Sequence, residues 1–188
     1  NMAWRFAERC GAQIIQFIVQ ILLARLLAPQ AYGTIALVVV FANIFQIFVD
    51  SGLGNALIQK KDADDLDFSS VFYFNLVWCL ILYAIIFEIA PLIAKFYGDS
   101  SLTSIVRVLC LTVVVSGLKN VQQAYVSKKL QFKKFFLSTL TGTVLSAIVG
   151  IWMAYQGFGV WSLVAQRLIN LIVDTLDLGV RVKWRPKR

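Results

Sequence analysis

Apolar residues gather along this chain into six windows, each ended by a short polar or turn-forming connector. The windows run from about Trp4 to Leu27, Tyr32 to Ile58, Phe68 to Phe96, Leu102 to Val126, Phe135 to Tyr155 and Val160 to Val182. A hydrocarbon core of ~30 Å takes about 20 helical residues. The pattern therefore predicts an all-α integral membrane bundle of six transmembrane helices, with residues 1–188 as a single unit. Ala28-Pro29 ends the first span, because proline donates no ladder hydrogen bond and pushes its predecessor out of the helical region. Tyr97-Gly98-Asp99-Ser100-Ser101 reads as a turn with a serine cap for the fourth span. Pro91 and Gly117 are expected bends.

Polar residues inside the spans follow the helical period. The first span sets Arg5, Arg9, Gln13, Gln16 and Gln20 on one face, and the second does so with Asn43, Gln46 and Asp50. Ser116, Lys119 or Asn120, and Gln123 make a shorter stripe in the fourth, and Arg167, Asn170, Asp174, Asp177 and Arg181 a long one in the sixth. A charge at the bilayer centre costs about 2.5–3.5 kcal/mol on insertion scales, so such groups face a bundle interior or water. The amides Gln13 and Gln16 serve equally as glue between helices or as cavity lining. For Lys119, Arg167 and Asp174 a hydrated cavity is the better expectation. Asp177 with Arg181 also suits an ordinary i,i+4 pair, and Arg25 and Glu88 suit snorkelling near the span ends. The fifth span carries small residues at Thr139, Thr143, Ser146, Gly150 and Ala154, a face for close packing on a neighbour.

Charge orients the bundle. Of 18 Lys and Arg residues, Arg5, Arg9, Lys60, Lys61, Lys128, Lys129, Lys133, Lys134 and the C-terminal flank fall on one side. Arg25 and Lys95 alone fall on the other, while Arg107, Lys119 and Arg167 lie within spans. The positive-inside rule then puts both ends of the segment in the cytoplasm. With 59% hydrophobic residues and a mean hydropathy of +0.75, the chain is too apolar for a soluble domain. Its net charge of +8 reads as topology control and lipid contact, not nucleic-acid binding. Trp4, Tyr32, Tyr73, Tyr97, Tyr155, Trp161 and Trp184 lie mostly near span ends, as an interfacial belt does.

Chemistry adds exclusions. There is no histidine, and Cys10, Cys79 and Cys110 stand singly in apolar segments, without metal-ligand or disulfide spacing. Asp62, Asp64, Asp65 and Asp67 lack the glycine turn of a calcium loop and read as a solvated connector. No catalytic residue, metal site or cofactor is expected. The chain starts without a signal-peptide arrangement and ends on a basic flank, so a piece of a longer protein is the expectation.

The order of several short segments carries a resemblance. They are Glu8-Arg9 with Gly11-Ala12-Gln13, Ala24-Arg25-Leu26-Leu27-Ala28-Pro29-Gln30-Ala31-Tyr32-Gly33, Asp50-Ser51-Gly52-Leu53-Gly54-Asn55-Ala56-Leu57-Ile58-Gln59, Leu130-Gln131-Phe132-Lys133 and Trp184-Arg185-Pro186. Through them the chain resembles the Wzx-type bacterial polysaccharide transporters of the multidrug/oligosaccharidyl-lipid/polysaccharide exporter superfamily. The resemblance implies one lobe of a two-lobe flippase in the bacterial inner membrane, with a C-terminal lobe missing here. It also implies alternating access for undecaprenyl-diphosphate-linked oligosaccharide, in lipopolysaccharide, capsule or exopolysaccharide biosynthesis, with a proton or sodium ion as a candidate coupling partner. Cavity candidates, taken from stripe position, are Arg9, Gln13, Gln16, Asp50, Lys119, Gln123, Arg167, Asn170 and Asp174. Arg9, Lys119 and Arg167 would meet anionic groups, and Asp50 and Asp174 would balance charge or carry protons. A cation-coupled multidrug exporter and a non-catalytic membrane assembly subunit remain as alternatives; a glycan polymerase or ligase lacks its catalytic residues.

Overall fold

The structure is a computed structural model that describes residues 2–49, 65–128 and 132–182, with side chains at 10–49, 66–128 and 136–180. Seven helices make up the described residues: α1 (Met2–Leu26), α2 (Pro29–Val49), α3 (Asp65–Tyr97), α4 (Ser101–Leu109), α5 (Leu111–Lys128), α6 (Phe132–Tyr155) and α7 (Val160–Val182). Among the described residues, four stretches are long and apolar enough to cross a membrane: Pro29–Val49, Leu66–Tyr97, Ser101–Lys128 and Phe136–Tyr155. Helix α1 contributes a shorter apolar stretch, Cys10–Leu26. Helix α7 is 23 residues long but carries Arg167, Asp174 and Asp177, so it needs neighbours to cover its polar side.

The exterior is apolar. Ile47, Phe96 and Val180 are 71%, 84% and 75% exposed, and Phe17, Phe74, Leu92, Ile148 and Trp152 also point outward. A surface this oily would aggregate in water and dissolves in lipid. Inside, Leu23, Val38, Ile86, Leu109, Val113 and Val164 belong to one core that reaches through the bundle. Helix α5 packs on α2, α3, α6 and α7, whereas α1 rests mainly against α6.

Small residues set the closest contacts. The face of α6 read from the sequence is buried at Thr143, Ser146, Gly150 and Ala154. A Cβ at Gly142 would lie 2.9 Å from the Asn170 carbonyl oxygen, and one at Gly150 would lie 3.1 Å from Gln166 Cβ. Helix α6 therefore meets α7 nearly backbone to backbone.

Three local expectations change. The fourth span is two helices, α4 and α5, joined at Cys110, and the break is there instead of at Gly117. Gly117 serves contact: a Cβ there would overlap Cys79 Sγ on α3, and the Gly117 carbonyl accepts from Asn75 Nδ2 at 3.1 Å. Pro91 lies inside a continuous α3, because the carbonyl it orphans, at Phe87, finds another donor. Arg107 Nε of α4 donates to that oxygen at 3.3 Å, and the guanidinium carbon sits 3.8 Å from the Phe87 ring centre. The expected serine cap is an aspartate cap: Asp99 Oδ1 accepts from Ser101 N–H at 2.9 Å and from Ser101 Oγ at 2.6 Å, while Ser100 makes no side-chain cap. These two bonds, the hydroxyl first, hold the Asp99 carboxyl below its ordinary pKa. Gly98 ends α3 at φ 70°, a left-handed conformation that favours glycine.

The second span reads as far as Ile58 in the sequence; its part beyond Val49, with Asp50, lies outside the described residues, as does most of the Asp62–Asp65 connector.

Candidate functional site

A cavity of about 350 Å³ opens between α1, α2, the α4–α5 break and α7. The stripes supply its polar lining. Gln16 and Gln20 come from α1, Asn43 and Gln46 from α2, and Arg167 and Asn170 from α7. Leu109 and Thr112 flank the break at Cys110 and complete the wall, with Gln166 and Leu171 beside Arg167. Side-chain period explains the convergence: α1, α2 and α7 each turn an i, i+3, i+4 polar face toward the cavity.

Arg167 is the cation among these lining residues, and the side chains around it are amides, a hydroxyl and aliphatic groups. A guanidinium fixes five donors in a plane, which suits carboxylate or phosphate. Each Gln or Asn amide offers both donors and an acceptor, which suits a ligand rich in hydroxyls. The lining residues include no carboxylate to neutralise Arg167.

Other stripe members meet one another. Ser116 Oγ donates to Gln46 Oε1 at 2.7 Å, joining α5 to α2 at the cavity edge. Lys119 Nζ of α5 stands 2.5 Å from Asp174 Oδ2 of α7, with the aspartate side chain only 2% exposed. Ser138 of α6 donates to Asp174 Oδ1 and, at 2.7 Å, to the Asp174 carbonyl. Asn170 Nδ2 reaches Ser146 Oγ at 3.2 Å, so this residue lines the cavity while anchored to α6. Asp177 accepts from Thr141 Oγ1 at 2.9 Å.

The long α7 stripe thus divides by depth. Gln16, Arg167 and Asn170 come together at the cavity, whereas Lys119 and Asp174 form a pair outside its lining. Gln13 is exposed and Gln123 half-buried, neither of them on the cavity wall. Helix α1 includes Arg9, but its side chain, like all of Asp50, lies outside the described residues. Sequence reasoning passed over Gln166, Leu109 and Thr112. Gln166 stands one residue off the stripe and carries no periodic signal, and the other two reach the cavity because the helix breaks between them.

The family described as polysaccharide biosynthesis protein matches residues 22–188. The chain belongs to this family. Among curated members of similar sequence, the succinoglycan biosynthesis transport protein ExoT of Rhizobium meliloti is 24% identical over the whole chain, which spans 38% of ExoT. The teichuronic acid biosynthesis protein TuaB of Bacillus subtilis is 30% identical over 54% of the chain and 21% of its own length. The lipopolysaccharide biosynthesis protein WzxC of Escherichia coli is 24% identical over 73% of the chain and 29% of its own length. The chain therefore spans well under half of these polysaccharide biosynthesis proteins. No solved structure matches it.

Proposed function

We propose that this chain forms one lobe of a two-lobe transporter that flips lipid-linked oligosaccharide across the bacterial inner membrane by alternating access, as a carrier and not an enzyme. The carrying observation is the cavity itself, an amide-rich hollow with one described cation, Arg167, inside a bundle whose exterior is apolar. A lone arginine is costly in lipid, and a hydrated hollow removes most of that cost. Relatives named for succinoglycan transport, teichuronic acid and lipopolysaccharide biosynthesis point to glycan cargo. The lining favours glycan over apolar drugs, since Gln16, Gln20, Asn43 and Gln46 are hydrogen-bonding side chains where a drug pocket would carry aromatics.

In this reading Arg167 holds an anionic group of the cargo, and the amides exchange hydrogen bonds with sugar hydroxyls as they slide past. A second lobe of the full-length protein closes the open side of the cavity. Both ends of this segment lie in the cytoplasm, on the strength of the Lys and Arg bias. The test is complementation: the full-length protein is placed in a strain lacking its flippase, and surface glycan is measured. Wild type restores glycan, and Arg167→Gln restores much less at equal protein level. Drug efflux without glycan rescue would overturn the proposal.

A further inference from the structure

We infer that Lys119 and Asp174 are positioning residues: their ion pair fixes the rotation of α7 on α5 and α6, and thereby aims Arg167 and Asn170 into the cavity. The inference rests on the reading of that cavity as the cargo path. Asp174 is closed off on every side. Lys119 occupies one carboxylate oxygen, Ser138 the other, and the side chain is almost wholly buried. No face is left for cargo. The same aspartate lies seven residues beyond Arg167 on α7, two helical turns along one face.

Rotation matters because Arg167 and Asn170 reach the cavity from one face of α7. Its contact with α6 is a close one, in which Gly142 admits the backbone at Asn170 and Asp174 to van der Waals distance. Close packing holds the two helices together, and directional polar bonds add a preferred rotation. A one-residue turn of α7 would swing Arg167 by about 100°, away from Gln16 and Gln46. The bonds that oppose this turn are the Lys119 and Ser138 contacts to Asp174, the Asn170 bond to Ser146 and the Thr141 bond to Asp177, and of these the Asp174 contacts alone tie α7 to both α5 and α6.

The test reads position separately from transport. In the full-length protein, with its reactive native cysteines replaced, Arg167→Cys is labelled in membrane vesicles by a small polar maleimide. Phe158→Cys, in the exposed turn before α7, serves as control. Lys119→Asp and Asp174→Lys, each alone, should slow labelling at position 167 several-fold and leave position 158 unchanged. The exchanged pair, Lys119→Asp with Asp174→Lys, should return labelling towards the original rate. In a background that keeps Arg167, the exchange should also restore glycan rescue lost in the single variants. Unchanged labelling in the single variants would overturn the inference. So would an exchanged pair that accumulates normally yet recovers neither labelling nor transport, because the two residues would then act through their identities. Failure of all three variants to accumulate would overturn it too, since the pair would support the whole lobe and not one helix. Recovered labelling with no glycan transport even by wild type would instead sink the flippase reading alone.

Discussion

Removing Arg107 should destabilise the bundle through a carbonyl outside the cavity lining, at Phe87, and removing Pro91 should relieve the damage. Pro91 has no N–H, so the Phe87 oxygen one turn earlier lacks its helical partner, and Arg107 Nε supplies a bond of 3.3 Å. Arg107→Met leaves that oxygen without its donor, at up to ~1–3 kcal/mol. It also forfeits the guanidinium stacking on Phe87, at ~0.5–1 kcal/mol for a partly exposed pair. The bond is long and Arg107 only half-buried, so a total of about 1–2 kcal/mol is the better figure. In a Pro91→Ala background, residue 91 regains an N–H for the Phe87 oxygen, and Arg107→Met should then cost only the stacking term. The coupling, about 1 kcal/mol, corresponds to roughly 2–4 °C in melting temperature at this chain size. Thermal unfolding of the purified protein in detergent, as single and double variants, measures it. Strictly additive losses would refute the account of how α3 stays continuous through its proline.

Gly142→Val should separate α6 from α7 and cost about 1–3 kcal/mol by overpacking, visible as a lower melting temperature and faster backbone hydrogen exchange in both helices. Gly98→Ala, at φ 70°, should cost about 1–2 kcal/mol, read from the same melts. Asp99 has a lowered pKa in the folded chain. Its share of stability is therefore present above the unfolded value of ~3.9 and lost as pH falls through the folded one. Asp99→Ala should accordingly lower the melting temperature at neutral pH and flatten its fall in acid; a parallel fall in both proteins would contradict the cap.

Periodicity made the polar faces legible, and with them the amide lining and Arg167. Spacing along one helix places Arg167, Asn170 and Asp174 on a common side, but it does not say which neighbour covers each turn. That decides why Arg167 opens to a cavity while Asp174 is sealed by Lys119 and Ser138. The small-residue face of α6 was readable for the same reason of period, and its fit to α7 follows from size alone. The break at Cys110 had no local sign, since neither proline nor glycine stands there. One tertiary and one local bond cap it: Tyr83 Oη donates to the Arg107 carbonyl at 3.2 Å, and Thr112 Oγ1 donates three residues back to the Leu109 carbonyl at 2.6 Å. Gly117 looked like a bend because glycine weakens helices, yet its missing Cβ makes room for Cys79.

Flipping of lipid-linked oligosaccharide by the purified full-length protein in vesicles tests the central claim most directly. With Arg167→Gln, inserted and folded like wild type, the account predicts a many-fold slower rate for a cargo bearing an anionic group. An unchanged rate in that variant would contradict it.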